Sequence, residues 1–282
     1  MLTFNLLLSD AGIDPKNVYL VRHQDTRVSQ AQLRARNSTP YDLWATRREQ
    51  FERYQMLQKR NCFAKRALLA SFVVTPRKET LFAGLYRKNG FGPLPSDLQV
   101  CPVRGTPVSN DEHIFYDLAP DNRLDNLTGR VVIEWGKAYL SWIQRADEVE
   151  GKPVIEIRTE QNRDEPFPGY RKFRWDLSDI GSIWPTWQDN LRQCKGIYLL
   201  TCKHCGQQYV GKADGDDGFW GRFLCYSLTG DGGNEGMKQH QTPGYFVTIL
   251  EALATPSPGE LDILESLWKE KLGSREWGLN KN

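Results

Sequence analysis

The chain predicts an α+β fold in two parts: a β-rich N-terminal domain with one basic helix over residues 1–185, and a small α/β domain over residues 190–282. Three observations predict it. Six short segments rich in β-branched and aromatic residues follow one another between residues 67 and 175, punctuated by turn formers. One long apolar stripe at helical spacing precedes them over residues 41–66. From Lys195 the order changes to strand, turn, strand, helix, strand, helix.

Taken in order, "MLTFNLLLSDAG" lacks the basic lead and small-residue cleavage site of a secretory signal, and predicts a first helix. In "YDLWATRREQFERYQMLQKRNCFAKR", Leu43, Trp44, Phe51, Tyr54, Leu57 and Phe63 form the stripe. Arg47, Arg48, Arg53, Lys59 and Arg60 fill the other faces and are the candidate DNA-binding residues. The strand-like segments are "ALLASFVV", "TLFAGLYR", "EHIFYDL", "GRVVIEW", "KPVIEIR" and "YRKFRW", which suggest a curved sheet or partial barrel. "DIGSIWPTWQDNLRQC" reads as a linker and short helix, with the domain boundary near residues 180–194.

Composition bounds the function. Hydrophobic residues at 39% and charged residues at 26% describe a globular chain, and no apolar run has the length to span a bilayer, so no membrane partner is expected. Six scattered cysteines do not form a disulfide framework and suit a reducing cytoplasm. The net charge of +2 conceals an asymmetry: Lys16 to Lys78 holds fourteen Lys or Arg against four Asp or Glu. Such a block attracts a polyanion by releasing its counterions, although a solvated helical face is the plainer account.

The chemistry concentrates after residue 190. "KGIYLLT" and "QQYVGKA" pair as an antiparallel hairpin through "CKHCG", with Tyr198 and Tyr209 on one face. Two aromatics there are either a cross-strand packing pair or two phenols converging on a site. Gly196 and Gly211 mark places where backbone or phosphate approaches closely. In "DGDDGFWGRFLCYSL", Asp217 is a candidate N-cap, and Arg222 and Tyr226 share a helix face that suits an anion. In "SPGELDILESLWKEKLG", Ser257 and Glu260 read as a capping box, Pro258 as the first helical position and Gly273 as the stop. Glu265 lies at the edge of the stripe of Leu261, Leu264, Trp268 and Leu272, where a carboxylate needs a partner such as a cation.

"GIY" at 196–198 and "YVG" at 209–211, followed by Arg222, Tyr226, Glu265 and Asn280, resemble the signature of the GIY-YIG nuclease superfamily. The resemblance covers residues 190–282, and valine replaces the central isoleucine of the second motif. It implies a small sheet flanked by helices that cuts phosphodiesters with one divalent cation, Mg²⁺ or Mn²⁺. Carried onto this chain, it implies that Tyr198 activates water and Tyr209 orients water or phosphate. Arg222 would clamp the non-bridging oxygens, Tyr226 would hydrogen-bond nearby, Glu265 would hold the metal and Asn280 would buttress the site. A tyrosine with a pKa near 10 is a poor base, so Lys212 and Arg222 are expected to lower that of Tyr198. The whole chain is loosely similar to bacterial GIY-YIG proteins with a β-rich N-terminal region, which carries no function for that region.

Other signals compete. Cys202 and Cys205 have the spacing of half a zinc site, but a turn containing two thiols is the plainer reading. Cys194, Cys225 and His240 are the only nearby extra ligands. The glycine-rich "LTGDGGNEGMKQHQ" suits either a phosphate contact or a surface loop. Phe82, Tyr86, Phe115, Tyr116, Trp135, Trp142, Phe173 and Trp175 lie on or near the N-terminal strands and suit a core, or a pocket that stacks on an extruded base. The expectation is a metal-dependent DNA endonuclease, serving restriction or phage defence and reading modified DNA. The alternatives are a non-catalytic nucleic-acid-binding module and a repair or structure-specific nuclease. Double-strand cleavage would take a homodimer or two sequential events.

Overall fold

The computed structural model describes residues 1–24, 39–136, 141–147, 151–230, 232, 237 and 244–281. Among these the chain divides into two compact units, one running up to Arg163 and the other from Asp164 onward. The expected boundary near 180–194 therefore falls inside the second unit.

In the first unit, Thr3 caps α1 (Phe4–Asp10), which buries Phe4 and Leu8. The strand β1 (Val18–His23) was not anticipated: it lies between neighbours on both sides and is buried at every position but Arg22. Two helices follow, α2 (Pro40–Thr46), opened by a Thr39–Asp42 capping box, and α3 (Arg48–Met56). The single helix expected over 41–66 breaks at Arg47, whose backbone leaves the helical region, and ends at Met56. Leu57 then pairs with Phe115 as β2 (Leu57–Gln58), and Phe63 is buried in the core. Turning back onto the sheet buries both side chains, and that tertiary gain overrides the local helical pattern.

The sheet continues with β3 (Leu68–Val74), β4 (Thr80–Gly92), β5 (Ile114–Pro120), β6 (Val131–Ile133), β7 (Ile143–Arg145) and β8 (Val154–Ile157). The order is β2-β5-β4-β3-β1-β7, with β6 pairing to β4 and β8 to β6. The β1–β3 pair is parallel and the other pairs are antiparallel. Bulges at Ser71/Phe72 and Lys88/Gly90 bend the long strands, and the sheet curls. One face carries Val18, Leu20, Ala70, Phe72 and Phe82 against α1, and the other Tyr19, Val21, Leu69, Tyr86 and Tyr116. This architecture is mixed α+β, as expected.

The second unit holds β9 (Arg174–Asp176), α4 (Pro185–Gln193), β10 (Lys195–Cys202), β11 (Gln208–Ala213), α5 (Gly218–Thr229), β12 (Tyr245–Leu253) and α6 (Glu260–Lys271). Its antiparallel sheet runs β11-β10-β12-β9. The segment "YRKFRW" thus belongs to the second sheet and not to the N-terminal one, because β9 hydrogen-bonds β12. Phe173, Trp175, Trp184 and Trp187 form one aromatic cluster, and Phe173 stacks on Phe223 of α5 at 6.1 Å. Phe173 and Trp175 therefore cannot line a pocket of the N-terminal sheet. Phe82, Tyr86, Tyr116 and Trp135 do lie there, buried in its core.

Candidate functional site

The hairpin β10–β11 builds the site. In its register Tyr198 faces Gly211 and Leu200 faces Tyr209, so both tyrosines share the sheet face that α5 covers. Ile197, Leu199 and Val210 occupy the opposite face against Leu261, Leu264 and Trp268 of α6. A Cβ at Gly211 would collide with the phenol of Tyr198, and one at Gly196, whose φ is +154°, would strike the carbonyl of Glu251. These glycines make room for a side chain and a neighbouring strand; a phosphate is not needed to explain either.

On α5, Arg222 and Tyr226 lie one turn apart and meet Tyr198. Arg222 Nε donates to the Tyr198 hydroxyl at 3.0 Å, and its Nη2 donates to the Tyr226 hydroxyl at 3.3 Å. The two hydroxyls lie 2.9 Å apart in a shared hydrogen bond. The ring of Tyr209 stands 6.4 Å from that of Tyr226, and the guanidinium of Arg222 lies over the Tyr226 ring at 4.9 Å. Tyr198 and Tyr226 are fully buried. A cleft of about 350 Å³, lined by Asp214, Asp216, Asp217, Arg222 and Cys225, meets this group through Arg222.

The electrostatics differ from expectation. Burial pushes the phenol of Tyr198 well above the usual tyrosine range, and the attraction of Arg222 offsets only part of that. Tyr209 and Tyr226 move the same way, again chiefly through burial. All three phenols are therefore neutral at pH 7. Burial works against the charge on Arg222, but the oxygens of Tyr198 and Tyr226 outweigh it and the guanidinium stays charged.

Lys212 does not join the site. Strand alternation turns it to the face away from Tyr209, where its Nζ contacts Asp262 at 2.7 Å and Asp214 at 3.0 Å. These hydrogen bonds raise its pKa and spend its charge locally, so it does not lower that of Tyr198. Asn280 bonds to the backbone of β11. Buried, it accepts from Val210 N at 2.9 Å and donates to Val210 O at 2.8 Å, which ties the last residues to β11.

Glu265 sits on α6 with its side chain 15% exposed and Oε1 3.3 Å from Nζ of the buried Lys269. It is close enough to Tyr209 to contribute to the upward shift of that phenol. Among the described residues no group of three or more His, Cys, Asp or Glu could hold a metal ion. The donor set is one hard carboxylate. That fits Mg²⁺ or Mn²⁺, which keep several waters and complete their shell with substrate phosphates. Lys269 was missed in the sequence, and its only signal there is the four-residue spacing from Glu265.

The α6 start also differs: the helix begins at Glu260 behind Gly259, and only the Glu260 half of the capping box forms, accepting from Ser257 N at 2.8 Å. Gly273, with φ +57°, stops it as expected. Asp217 precedes α5 without a side-chain cap. Cys202 is buried and Cys205 exposed. His240 and most of the glycine-rich segment lie outside the described residues.

Of the candidate DNA-binding residues, Arg48 donates to Ala83 O and lies over the rings of Trp44 and Phe51. Arg53 forms a two-point pair with the exposed Asp97, so both arginines are engaged within the chain. Arg47, Lys59 and Arg60 are exposed. No helix of the described residues is long and apolar enough to cross a membrane. No protein-family model, curated protein or solved structure matches the chain.

Proposed function

We propose that the second unit is a metal-dependent DNA endonuclease of the GIY-YIG type. The observation that carries the reading is the convergence of Tyr198, Tyr226 and Arg222 through three hydrogen bonds, with Tyr209 on the same sheet face and Arg222 also lining a cleft. A phosphodiester needs its charge neutralised, its leaving oxygen assisted and an attacking water oriented. Arg222 offers a charged fork to the non-bridging oxygens. Glu265 would hold Mg²⁺ or Mn²⁺, which supplies Lewis-acid stabilisation of the leaving oxygen when bound. Tyr198, neutral and hydrogen-bonded to Tyr226, would take a proton from water while passing its own to Tyr226, which would give up its hydroxyl proton to a phosphate oxygen held by Arg222, so that no phenol is left charged. Tyr209 orients the water or phosphate.

The first unit would select the site, and restriction or defence against foreign, base-modified DNA is the role this division suits. The full burial of Tyr198 favours a second reading, a non-catalytic nucleic-acid-binding module. Incubating the full chain with matched unmodified, 5-methylcytosine, 5-hydroxymethylcytosine and glucosylated duplexes, with Mg²⁺ or with EDTA, separates the two. Cation-dependent nicking of any substrate supports the nuclease, and binding with no cleavage of any substrate supports the module.

A further inference from the structure

We infer that Lys269 is the positioning residue of this site: it claims one oxygen of Glu265 and leaves the other as a single ligand for a divalent cation. The inference rests on the phosphodiesterase reading above and goes beyond it, because no part of that reading uses this lysine.

A Glu–Lys pair four residues apart is commonplace on an exposed helix face. This one is not exposed: the side chain of Lys269 is 4% accessible and that of Glu265 15%. Burying an ammonium is costly, and an apolar side chain of similar volume commonly serves stability as well or better. The apolar contacts of α6 are already supplied by Leu261, Leu264 and Trp268. Helix stability therefore does not account for a charge here.

Position does. Lys269 Nζ lies 3.3 Å from Oε1, and Oε2 takes no hydrogen bond among the described residues. The carboxylate is held by one oxygen and presents the other. Arg222 bonds Tyr198 and Tyr226, the Tyr226 ring stands 6.4 Å from that of Tyr209, and on α6 Glu265 pairs with Lys269. Before a metal binds, Lys269 balances Glu265. Once a metal binds, the ammonium stands beside a like charge, so it weakens binding while fixing the angle of the ligand. Affinity and turnover should then respond in opposite directions when the charge is removed.

The test is Mn²⁺ binding to the full chain, read from the electron paramagnetic resonance of the free ion, beside single-turnover cleavage at saturating Mn²⁺. Lys269→Met keeps the volume and deletes the charge. It should bind Mn²⁺ roughly tenfold more tightly, the scale of removing a like charge close to a divalent ion near water. Its cleavage rate should fall by roughly a hundredfold through the loosened ligand. Lys269→Arg should restore both values toward wild type, a rescue that a merely structural role does not predict. If Lys269→Met fails to fold, Lys269→Gln carries the same expectation. Unchanged or weaker Mn²⁺ binding in the charge-deleted variant, with binding still abolished by Glu265→Gln, overturns the role of Lys269 alone. Mn²⁺ binding absent from wild type, or unaffected by Glu265→Gln, overturns the metal reading and this inference together.

Discussion

Tyr198→Phe removes one oxygen from the centre of the site and leaves its ring in place. The ring keeps its edge contact with Phe223, at 5.4 Å between centroids, and with Tyr226. Two hydrogen bonds are lost. The bond to the Tyr226 hydroxyl joins neutral groups and contributes about 1 kcal/mol, while the bond from Arg222 is charge-assisted and contributes about 1.5–3 kcal/mol. Arg222 is half-buried, so water replaces part of what it loses, and the phenol no longer bears its desolvation cost. The net destabilisation should be about 2 kcal/mol, read from urea unfolding of the full chain as a shift in the transition that includes the second unit. Cleavage should fall roughly a hundredfold, the scale of a lost proton relay. A variant with wild-type stability and wild-type rate would refute the reasoning and return Tyr198 to a packing role.

A fragment of residues 164–282 should fold, whereas 190–282 should not, since the shorter piece lacks β9 and the Phe173–Trp187 cluster that covers Phe223; circular dichroism and proteolysis check this. His23 is buried on β1, and burial lowers its pKa to about 4, so its contribution to stability is present above about pH 6.5 and is lost as pH falls toward 4. That loss amounts to roughly 3 kcal/mol, and His23→Gln should flatten it in pH-dependent unfolding. The phenols of Tyr198 and Tyr226 have raised pKa values, so their contribution is intact below about pH 10 and fades above it as the unfolded chain ionises first. Tyr198→Phe and Tyr226→Phe should each reduce the alkaline loss, measured between pH 9 and 11 (about one unit either side of the ordinary tyrosine value).

The parts of the second unit that the sequence discloses are those written over short distances. A strand period of two puts Tyr198 and Tyr209 on one face, and a helical period puts Arg222 beside Tyr226. The same alternation places Lys212 opposite Tyr209, three residues away, yet proximity in sequence to the "YVG" run suggested a role that strand geometry denies it. The pairing of β9 with β12 spans a long stretch of chain, and a three-residue strand carries too little pattern to announce its partner. β1 escaped because a strand buried on both faces shows no alternation. The end of the helix at Met56 reflects burial of Leu57 and Phe63 against the sheet, which no local helical pattern contains.

The most direct test of the central claim is single-turnover cleavage of a DNA duplex by the full chain and by Glu265→Gln, with DNA binding measured alongside. Removing the carboxylate charge while keeping its shape should abolish Mg²⁺-dependent cleavage and leave DNA affinity unchanged. Cleavage by Glu265→Gln at the wild-type rate under limiting Mg²⁺, or no cleavage by the wild-type chain with either Mg²⁺ or Mn²⁺, would contradict the account.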